Sequence, residues 1–205
     1  SPSFEIIERL RAAGAEIAYC DPYIPVARRG REHDIGLCSV PCTAEEFARH
    51  GCVVIGVFES RKLSAAGKPL DKASDGFLST VLRRGDIEGR SGQTLLLHNV
   101  PNTLCERVLL IGCGKERDFD VNTYRKVVAT ATRTLNGTGA TDAVSYLTDL
   151  AIKGRDSYWK VRDCVQTTRD TLYVFDQLKS KKNDARRPLK KLVLSVPSRR
   201  ELADG

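Results

Sequence analysis

The amino-acid sequence predicts an α/β fold in which a mixed, largely parallel sheet is layered between helices. Two observations lead to this prediction. Short apolar segments rich in β-branched residues, which are typical of strands, alternate along the chain with longer segments of helical periodicity. Gly, Pro, Asn and Asp separate the two kinds of segment, so each helix is expected to connect neighbouring strands and to pack on the sheet.

The first part of the chain predicts a helix–strand–helix–strand order. The expected elements are a helix from Ser3 to Gly14, a strand at Glu16–Cys20, a helix beginning at Thr43, and a strand at Cys52–Phe58. Thr43 and Glu46, three residues apart, form a capping box that supports the second helix start. This order is Rossmann-like and suggests two parallel strands, but no Gly-x-Gly-x-x-Gly occurs here, so these residues give no indication of dinucleotide binding.

The later residues predict three more helices and four more strands. The helices are expected over about 72–84, 121–135 and 155–178, and the strands over about 94–99, 107–112, 142–147 and 192–196. A Pro101-Asn102 turn between the first two of these strands favours a hairpin.

Composition indicates a cytoplasmic protein that does not span a membrane. The sequence holds no apolar run of the ~20 residues that a membrane helix needs, and no basic-then-apolar segment at its start. The seven cysteines are odd in number and irregularly spaced, which favours reduced thiols over a disulfide framework. Because the chain begins with Ser1 and contains no Met, we expect a trimmed chain or a piece of a longer protein.

One set of residues suggests a zinc site that its spacing does not support. The set is Cys38, Cys42, His50 and Cys52. Zinc sites usually use Cys-x-x-Cys pairs, whereas three residues separate Cys38 from Cys42, and Cys52 opens an apolar strand. We therefore interpret these residues as ordinary loop and core side chains.

The segment Gly112-Cys-Gly-Lys115 follows a predicted strand, as a phosphate-binding loop does. A P-loop requires Gly-x-x-x-x-Gly-Lys followed by Ser or Thr, whereas Leu109 occupies the first glycine position and Glu116 the last position. We interpret the segment as a strand-ending turn.

Two further candidates have structural interpretations. His98 ends a strand and Asp86 lies upstream, but a catalytic pair needs a nucleophile, and nothing nearby suggests one. We expect His98 to make a local hydrogen bond. We expect Trp159, near the start of the last long helix, to anchor packing and not to stack on a ligand.

A series of collinear segments forms a recognisable pattern in most of the chain. They are Gly56-Val-Phe-Glu-Ser-Arg-Lys-Leu-Ser64, Arg84-Gly-Asp86, Gly92-Gln-Thr-Leu-Leu-Leu-His98, Glu106-Arg-Val-Leu-Leu-Ile-Gly-Cys-Gly-Lys115, Tyr124-Arg-Lys126, Lys153-Gly-Arg-Asp156, Phe175-Asp176, Lys179-Ser-Lys-Lys182 and Lys191-Leu-Val-Leu194. Together, over about residues 53–205, they resemble the N-terminal domain of the leucine (leucyl) aminopeptidase family. The resemblance implies a cytoplasmic protein with an architecture similar to the ADP-ribose-binding macro fold.

The same resemblance implies a non-catalytic chain. Enzymes of this family remove N-terminal residues from peptides with two divalent metals, commonly Zn or Mn, that activate a bridging water. Their metal ligands lie in the C-terminal domain, partly in an Asn-Thr-Asp-Ala-Glu-Gly-Arg motif, of which Gly139-Ala-Thr-Asp142 shares only Thr-Asp. We therefore expect no catalytic residue and no cofactor in this chain, and a role in assembly or regulation. The expected partners are an aminopeptidase catalytic domain and a homo-oligomer, which is a hexamer in the family.

Residues 179–191 are strongly basic, with seven basic residues against one acid, Asp184. The basic residues are Lys179, Lys181, Lys182, Arg186, Arg187, Lys190 and Lys191. Clustered cations contact phosphates in a salt-dependent manner, and some bacterial members of the family bind DNA. A solvated linker explains the same composition, so both interpretations are open.

The first 55 residues form a second pattern. It consists of Ser1-Pro-Ser-Phe-Glu-Ile-Ile-Glu-Arg-Leu10, Gly14-Ala-Glu16, Asp21-Pro-Tyr-Ile-Pro25, Arg31-Glu-His33 and Cys52-Val-Val-Ile55. These segments resemble the C-terminal domain of nucleotide-sugar 6-dehydrogenases, which oxidise UDP-glucose or GDP-mannose with NAD. The NAD fingerprint and nucleophilic Cys of that family have no counterpart here, so a nucleotide-sugar-binding remnant is the least supported function. Residues 1–55 either join residues 53–205 in one continuous sheet or pack poorly against them, and hydrogen exchange at Glu16–Cys20 distinguishes the two.

Overall fold

The computed structural model describes residues 50–103, 105–173 and 189–195. Several predicted features lie outside these residues. They are the two helices and the strand expected before His50, Cys38 and Cys42, the last residues of the helix expected up to 178, and the basic residues Lys179, Lys181, Lys182, Arg186 and Arg187.

Strands and helices alternate along the described residues. The strands are β1 (Val53–Phe58), β2 (Lys62–Leu63), β3 (Thr94–His98), β4 (Arg107–Gly114), β5 (Asp142–Ser145) and β6 (Lys191–Leu194). The helices are α1 (Gly67–Ala73), α2 (Phe77–Arg84), α3 (Val121–Asn136) and α4 (Ser157–Leu172), with short 3-10 turns at Glu116–Asp118 and Leu147–Asp149.

The strands form one mixed sheet with the order β3-β4-β1-β5-β6. β1 runs parallel to β4 along its whole length and parallel to β5 through Val53 and Val54, and β5 runs parallel to β6. β2 pairs antiparallel with the end of β1, and β3 pairs antiparallel with β4, placing His98 opposite Arg107. The predicted α/β class, the largely parallel sheet and the hairpin are therefore confirmed.

Helices cover both faces of the sheet. Successive side chains of each strand point to opposite faces, so each strand contributes to two cores. Val54 lies on one face and packs in a core that includes Tyr124 of α3. Ile55 lies on the other face, in a core with Leu70 of α1 and Leu78 of α2. All six residues of β1 are buried, as a strand covered by helices on both faces requires.

The single helix expected over about 72–84 is two helices, so this prediction was wrong. The chain breaks between α1 and α2 because Asp75 and Gly76 adopt left-handed backbone angles, with φ of 53° and 78°. The carboxylate of Asp71, in α1, accepts hydrogen bonds from the amide and the hydroxyl of Ser79, in α2. This contact fixes the two short helices relative to each other.

Two other boundaries differ from the prediction. α4 ends at Leu172, ahead of the predicted end, where Tyr173 is extended (φ −63°, ψ 119°) and 73% exposed. Three β-branched residues with weak helix propensity precede this end, namely Thr167, Thr168 and Thr171. The strand expected to reach 147 ends at Ser145, where a 3-10 turn takes over.

The segment that precedes β3 lies against the ends of β1 and β4 so closely that two positions accept only glycine. A Cβ on Gly112 would lie 2.0 Å from the carbonyl oxygen of Arg90. A Cβ on Gly89, whose φ is +86°, would lie 2.1 Å from the carbonyl oxygen of Phe58. The amide of Gly114 donates to the carbonyl oxygen of Gly89 at 2.8 Å, which holds the segment in place.

We predict that Gly112→Ala lowers the free energy of unfolding by about 1–3 kcal/mol, the usual cost of forcing an extra group into a packed interior. The obstructing atom belongs to the backbone of Arg90, so it moves only if the hydrogen bonds that join its segment to Gly112 and Gly114 are lost. Urea denaturation followed by circular dichroism measures the change. Gly139→Ala is the matched control, because its Cβ would meet no atom nearer than 4.0 Å. Equal losses in the two variants would contradict the close approach.

Candidate functional site

Lys190 and Lys191 are the two members of the predicted nucleic-acid-binding set that the structure describes. Their backbone amides both donate to the carbonyl oxygen of Thr141, at 2.7 and 3.1 Å, where the chain enters the edge strand β6. The side chain of Lys190 is exposed and that of Lys191 is half-buried. The end of the basic segment therefore lies at an edge of the sheet, and the clustering of all seven residues stays a prediction.

His50 and Cys52, the described members of the suggested zinc set, lie in a buried corner beside β5. Nδ1 of His50 lies 3.2 Å from Oδ2 of Asp142, and the same oxygen accepts a hydrogen bond from the amide of Gly51 at 3.2 Å. Cys52 is fully buried at 0% exposure, and burial raises the pKa of its thiol to about 12. The interpretation of Cys52 as a core cysteine is confirmed.

The segment from Gly112 to Lys115 ends strand β4 and does not form a loop around a phosphate. Gly112, Cys113 and Gly114 are strand residues, and burial raises the pKa of the Cys113 thiol to about 12. The amides of Gly112 and Gly114 already donate to carbonyl oxygens of the segment before β3. Because these amides are engaged, they are not free to cradle an anion. The segment ends a strand as predicted, but the strand continues to Gly114, two residues beyond the expected end, so most of the segment is strand and not turn.

The two remaining candidates are Trp159, in α4, and His98, at the end of β3. The ring of Trp159 lies 6.1 Å from the ring of Tyr124, and the guanidinium of Arg155 lies 4.7 Å from the Trp159 centroid. Trp159 is therefore a packing anchor, as predicted. His98 is exposed at the end of β3, and Asp86 is exposed after α2. No hydrogen bond of the His98 ring is found within the described ranges, so its local bond stays a prediction.

A cavity that no motif indicated lies between the β1–β2 turn and the helices α1 and α2. Its volume is about 310 Å³, and the basic residues that line it are Arg61, Lys62, Lys68 and Lys72. Lys68 and Lys72 are four residues apart on α1, so their side chains lie on the same helix face. We call this cavity and its four basic side chains the basic cleft.

Sequence reasoning missed the basic cleft because its residues come from separate elements. Arg61 and Lys62 lie between the predicted strand at Cys52–Phe58 and the predicted helix, and Lys72 is at the expected start of that helix. The spacing of Lys68 and Lys72 was the available signal, but it indicates a shared helix face only where a helix has been predicted over both.

Comparison with known proteins identifies the family of the chain. Residues 54–182 match the model of the cytosol aminopeptidase family, N-terminal domain. The chain belongs to this family. A probable cytosol aminopeptidase of Thioalkalivibrio sulfidiphilus is 62% identical over 167 residues, which cover 82% of this chain and 34% of that protein. The chain therefore spans about a third of the length of this aminopeptidase relative. The resemblance of residues 1–55 to dehydrogenases stays a prediction.

Solved structures with the same fold include an aminopeptidase and a macrodomain. A mutant of tomato leucine aminopeptidase is 16% identical, with a TM-score of 0.54 over 72% of this chain and 30% of that chain. The macrodomain of Mycobacterium tuberculosis DarG is 10% identical, with a TM-score of 0.54 over 90% of this chain and 100% of that chain. At these identities the likeness shows the fold alone. It confirms the macro-like architecture expected of the aminopeptidase N-terminal domain.

The acidic residues that the structure describes do not form a two-metal centre. Within residues 50–103, 105–173 and 189–195, no group of three or more His, Cys, Asp or Glu is placed to hold a metal ion. The carboxylate of Asp163 instead accepts bonds of 2.7 to 3.1 Å from the guanidinium of Arg125.

Within residues 50–103, 105–173 and 189–195, no helix has the length and apolarity to cross a membrane.

We predict that the thiols of Cys52, Cys113 and Cys164 resist alkylation in the folded chain. Burial raises the pKa of each to about 12, so near about pH 8 roughly one thiol in ten thousand is the reactive thiolate. These pKa values lie above those of the unfolded chain, so the folded chain holds the three thiol protons more tightly than the unfolded chain does. The contribution of this difference to folding stability is present below about pH 9 and is lost as the pH rises towards 12.

Iodoacetamide labelling followed by peptide mass spectrometry measures this protection. The same protein in urea is the control, because the unfolded thiols recover an ordinary pKa and should be labelled fully. Labelling of the three cysteines at similar rates in buffer and in urea would show that the cores are open.

Proposed function

We propose that the chain acts as the non-catalytic N-terminal domain of a leucyl aminopeptidase, an enzyme that removes N-terminal residues from peptides with two divalent metal ions, Zn or Mn. The observation that carries this proposal is the family match over residues 54–182. In this role the chain assembles with an aminopeptidase catalytic domain or regulates it, in the cytoplasm and within a homo-oligomer such as a hexamer.

The chemistry of the described carboxylates supports a non-catalytic role. Two-metal hydrolysis needs carboxylates that hold two metal ions about 3.5–4 Å apart. The two ions then lower the pKa of a bridging water. In this domain Asp142 bonds to His50 and Gly51, and Asp163 bonds to Arg125. A metal at either carboxylate would have to replace hydrogen bonds that join separate elements of the fold, which makes metal binding there unfavourable.

We predict that the purified chain, supplied with Zn or Mn, releases no p-nitroaniline from leucine p-nitroanilide above a blank with metal alone. Absorbance measures the release. The described residues include no group that could hold the metal ions needed to activate water. We therefore expect hydrolysis at the background rate of the metal alone. Turnover that co-elutes with the chain and disappears on chelation would contradict the proposal.

We also propose a second function, the binding of DNA through residues 179–191. Seven basic residues against one acid in this segment favour it, because each cation that neutralises a phosphate releases a counterion. Lys190, at the end of the segment, is exposed beside the edge strand β6. The binding energy would come from phosphate contacts, so little dependence on DNA sequence is expected.

We predict that changing Lys181, Lys182, Arg186 and Arg187 together to Ala weakens duplex DNA binding and reduces the slope of log affinity against log salt by about 3–4 units. Fluorescence anisotropy over a salt series measures both quantities. The matched control changes four exposed basic residues elsewhere to Ala, namely Lys115, Lys126, Lys153 and Arg162. Equal weakening in the two variants would mean that net charge, and not this segment, attracts DNA.

A further inference from the structure

The basic cleft has no role in the functions proposed above. We propose that it binds the phosphate group of a phosphorylated small molecule through Arg61, Lys68 and Lys72. Cavity shape, uncompensated charge and a fixed guanidinium support this assignment, independently of any aminopeptidase role.

The cleft has the dimensions of a small-molecule site. Its volume of about 310 Å³ lies near the lower end of the ~300–1,000 Å³ range that such sites occupy. Leu63 and Leu82 contribute apolar lining between the charged side chains. A compact anion with a modest apolar part matches this combination of surfaces.

The charges of the cleft do not cancel. Lys62 is neutralised by an ion pair with Glu116. Asp71, the acid in the lining, accepts hydrogen bonds from the neutral Ser79 and keeps its negative charge, which offsets one of the remaining cations and leaves the cleft with a net charge of about +2. Among the residues that the structure describes, no ion pair involves the other three basic residues of the cleft, which are Arg61, Lys68 and Lys72. Three cations around one cavity attract a multiply charged anion, and phosphate is the common biological group of that kind.

The turn that carries Arg61 is held in a conformation that residues other than glycine rarely adopt. Ser60 and Arg61 have φ of 69° and 60°. Such angles are unfavourable and persist only where the surrounding structure holds them. Here Nη1 of Arg61 donates to the carbonyl oxygen of Arg83 at 3.1 Å, which fixes the guanidinium at the rim of the cleft. A guanidinium has further N–H donors in a planar fork, the geometry that suits phosphate oxygens.

Acidic residues limit the positive surface on one side of the cleft. The neighbouring cavity, of about 510 Å³, is lined by Ser60, Arg61 and Arg90 together with Glu59 and Glu88. Arg90 is paired with Glu88 at 2.7 Å. A polyanion that extended over this cavity would approach two carboxylates, whereas a compact anion inside the basic cleft meets three cations. The surface therefore favours a small phosphorylated molecule over a nucleic-acid strand.

Titration calorimetry of the 205-residue chain with inorganic pyrophosphate tests the proposal. The unchanged chain is expected to bind pyrophosphate at one site at low salt. The Lys68→Gln/Lys72→Gln variant removes two of the three unpaired cations. Its dissociation constant is expected to rise about tenfold or more, given the usual strength of charge-assisted hydrogen bonds.

The matched control is Lys126→Gln/Lys153→Gln, which removes the same charge from exposed positions in α3 and in the loop before α4. It should bind pyrophosphate as the unchanged chain does. Thermal unfolding checks that both variants fold, and Lys72→Gln alone replaces the double variant if that one does not. Pyrophosphate should also shift the amide NMR signals of Ser79 and Leu82 in the control but not in the cleft variant.

Absence of binding to the unchanged chain, or equal weakening in both variants, would overturn the proposal. A single-stranded oligonucleotide provides a second arm that identifies the source of the phosphate. If the oligonucleotide displaces pyrophosphate and binds more tightly, the cleft belongs to a nucleic-acid surface and the small-ligand proposal fails. If the variant altered at Lys181, Lys182, Arg186 and Arg187 loses oligonucleotide binding but keeps pyrophosphate binding, the cleft is a separate site and the proposal is supported.

Discussion

Strand β1 determines where the other described elements lie, because it is buried on both faces and hydrogen-bonded along both edges. One edge pairs with β4 from Val53 to Phe58. The other edge pairs with β5 at the start of the strand and with β2 at its end. A shift of one residue in this register would move every β1 side chain to the opposite core. The two cores differ in shape and in the helices that cover them, so only one register fits.

The elements that could be predicted from the sequence are those whose signals are local. The continuous apolar run of β1 indicates a central strand, and α3 begins and ends at residues with a direct capping role. Asp120 accepts a hydrogen bond from the amide of Thr123, and the chain leaves α3 at Gly137. The break between α1 and α2 was not predicted. Asp75-Gly76 marks the turn, but the apolar spacing across 72–84 outweighed it in the prediction, and the packing of the two helices depends on the contact of Asp71 with Ser79, which local propensity does not report.

The same distinction explains what could be predicted of the candidate sites. The zinc and phosphate-loop alternatives could be weighed from the sequence because both require fixed local spacings that the sequence does not have. The basic cleft depends on the left-handed angles of Ser60 and Arg61 and on a helix that begins at Gly67, ahead of the predicted start. Its residues are close in sequence, but their convergence on one cavity follows from the turn geometry and not from their order.

The likeness to a macrodomain concerns the fold, and the packing at the end of the sheet shows why it cannot be extended to a ligand. In open α/β sheets, ligands bind beyond the carboxyl ends of the strands. In this chain the amide of Gly92 donates to the carbonyl oxygen of Gly112, so the segment before β3 covers that end of β4. Backbone therefore occupies the space at the end of β4, and the basic cleft lies beyond the β1–β2 turn. Because the loops at the ends of a sheet vary more readily than the sheet itself, two proteins with one fold can place ligand-binding groups at different positions.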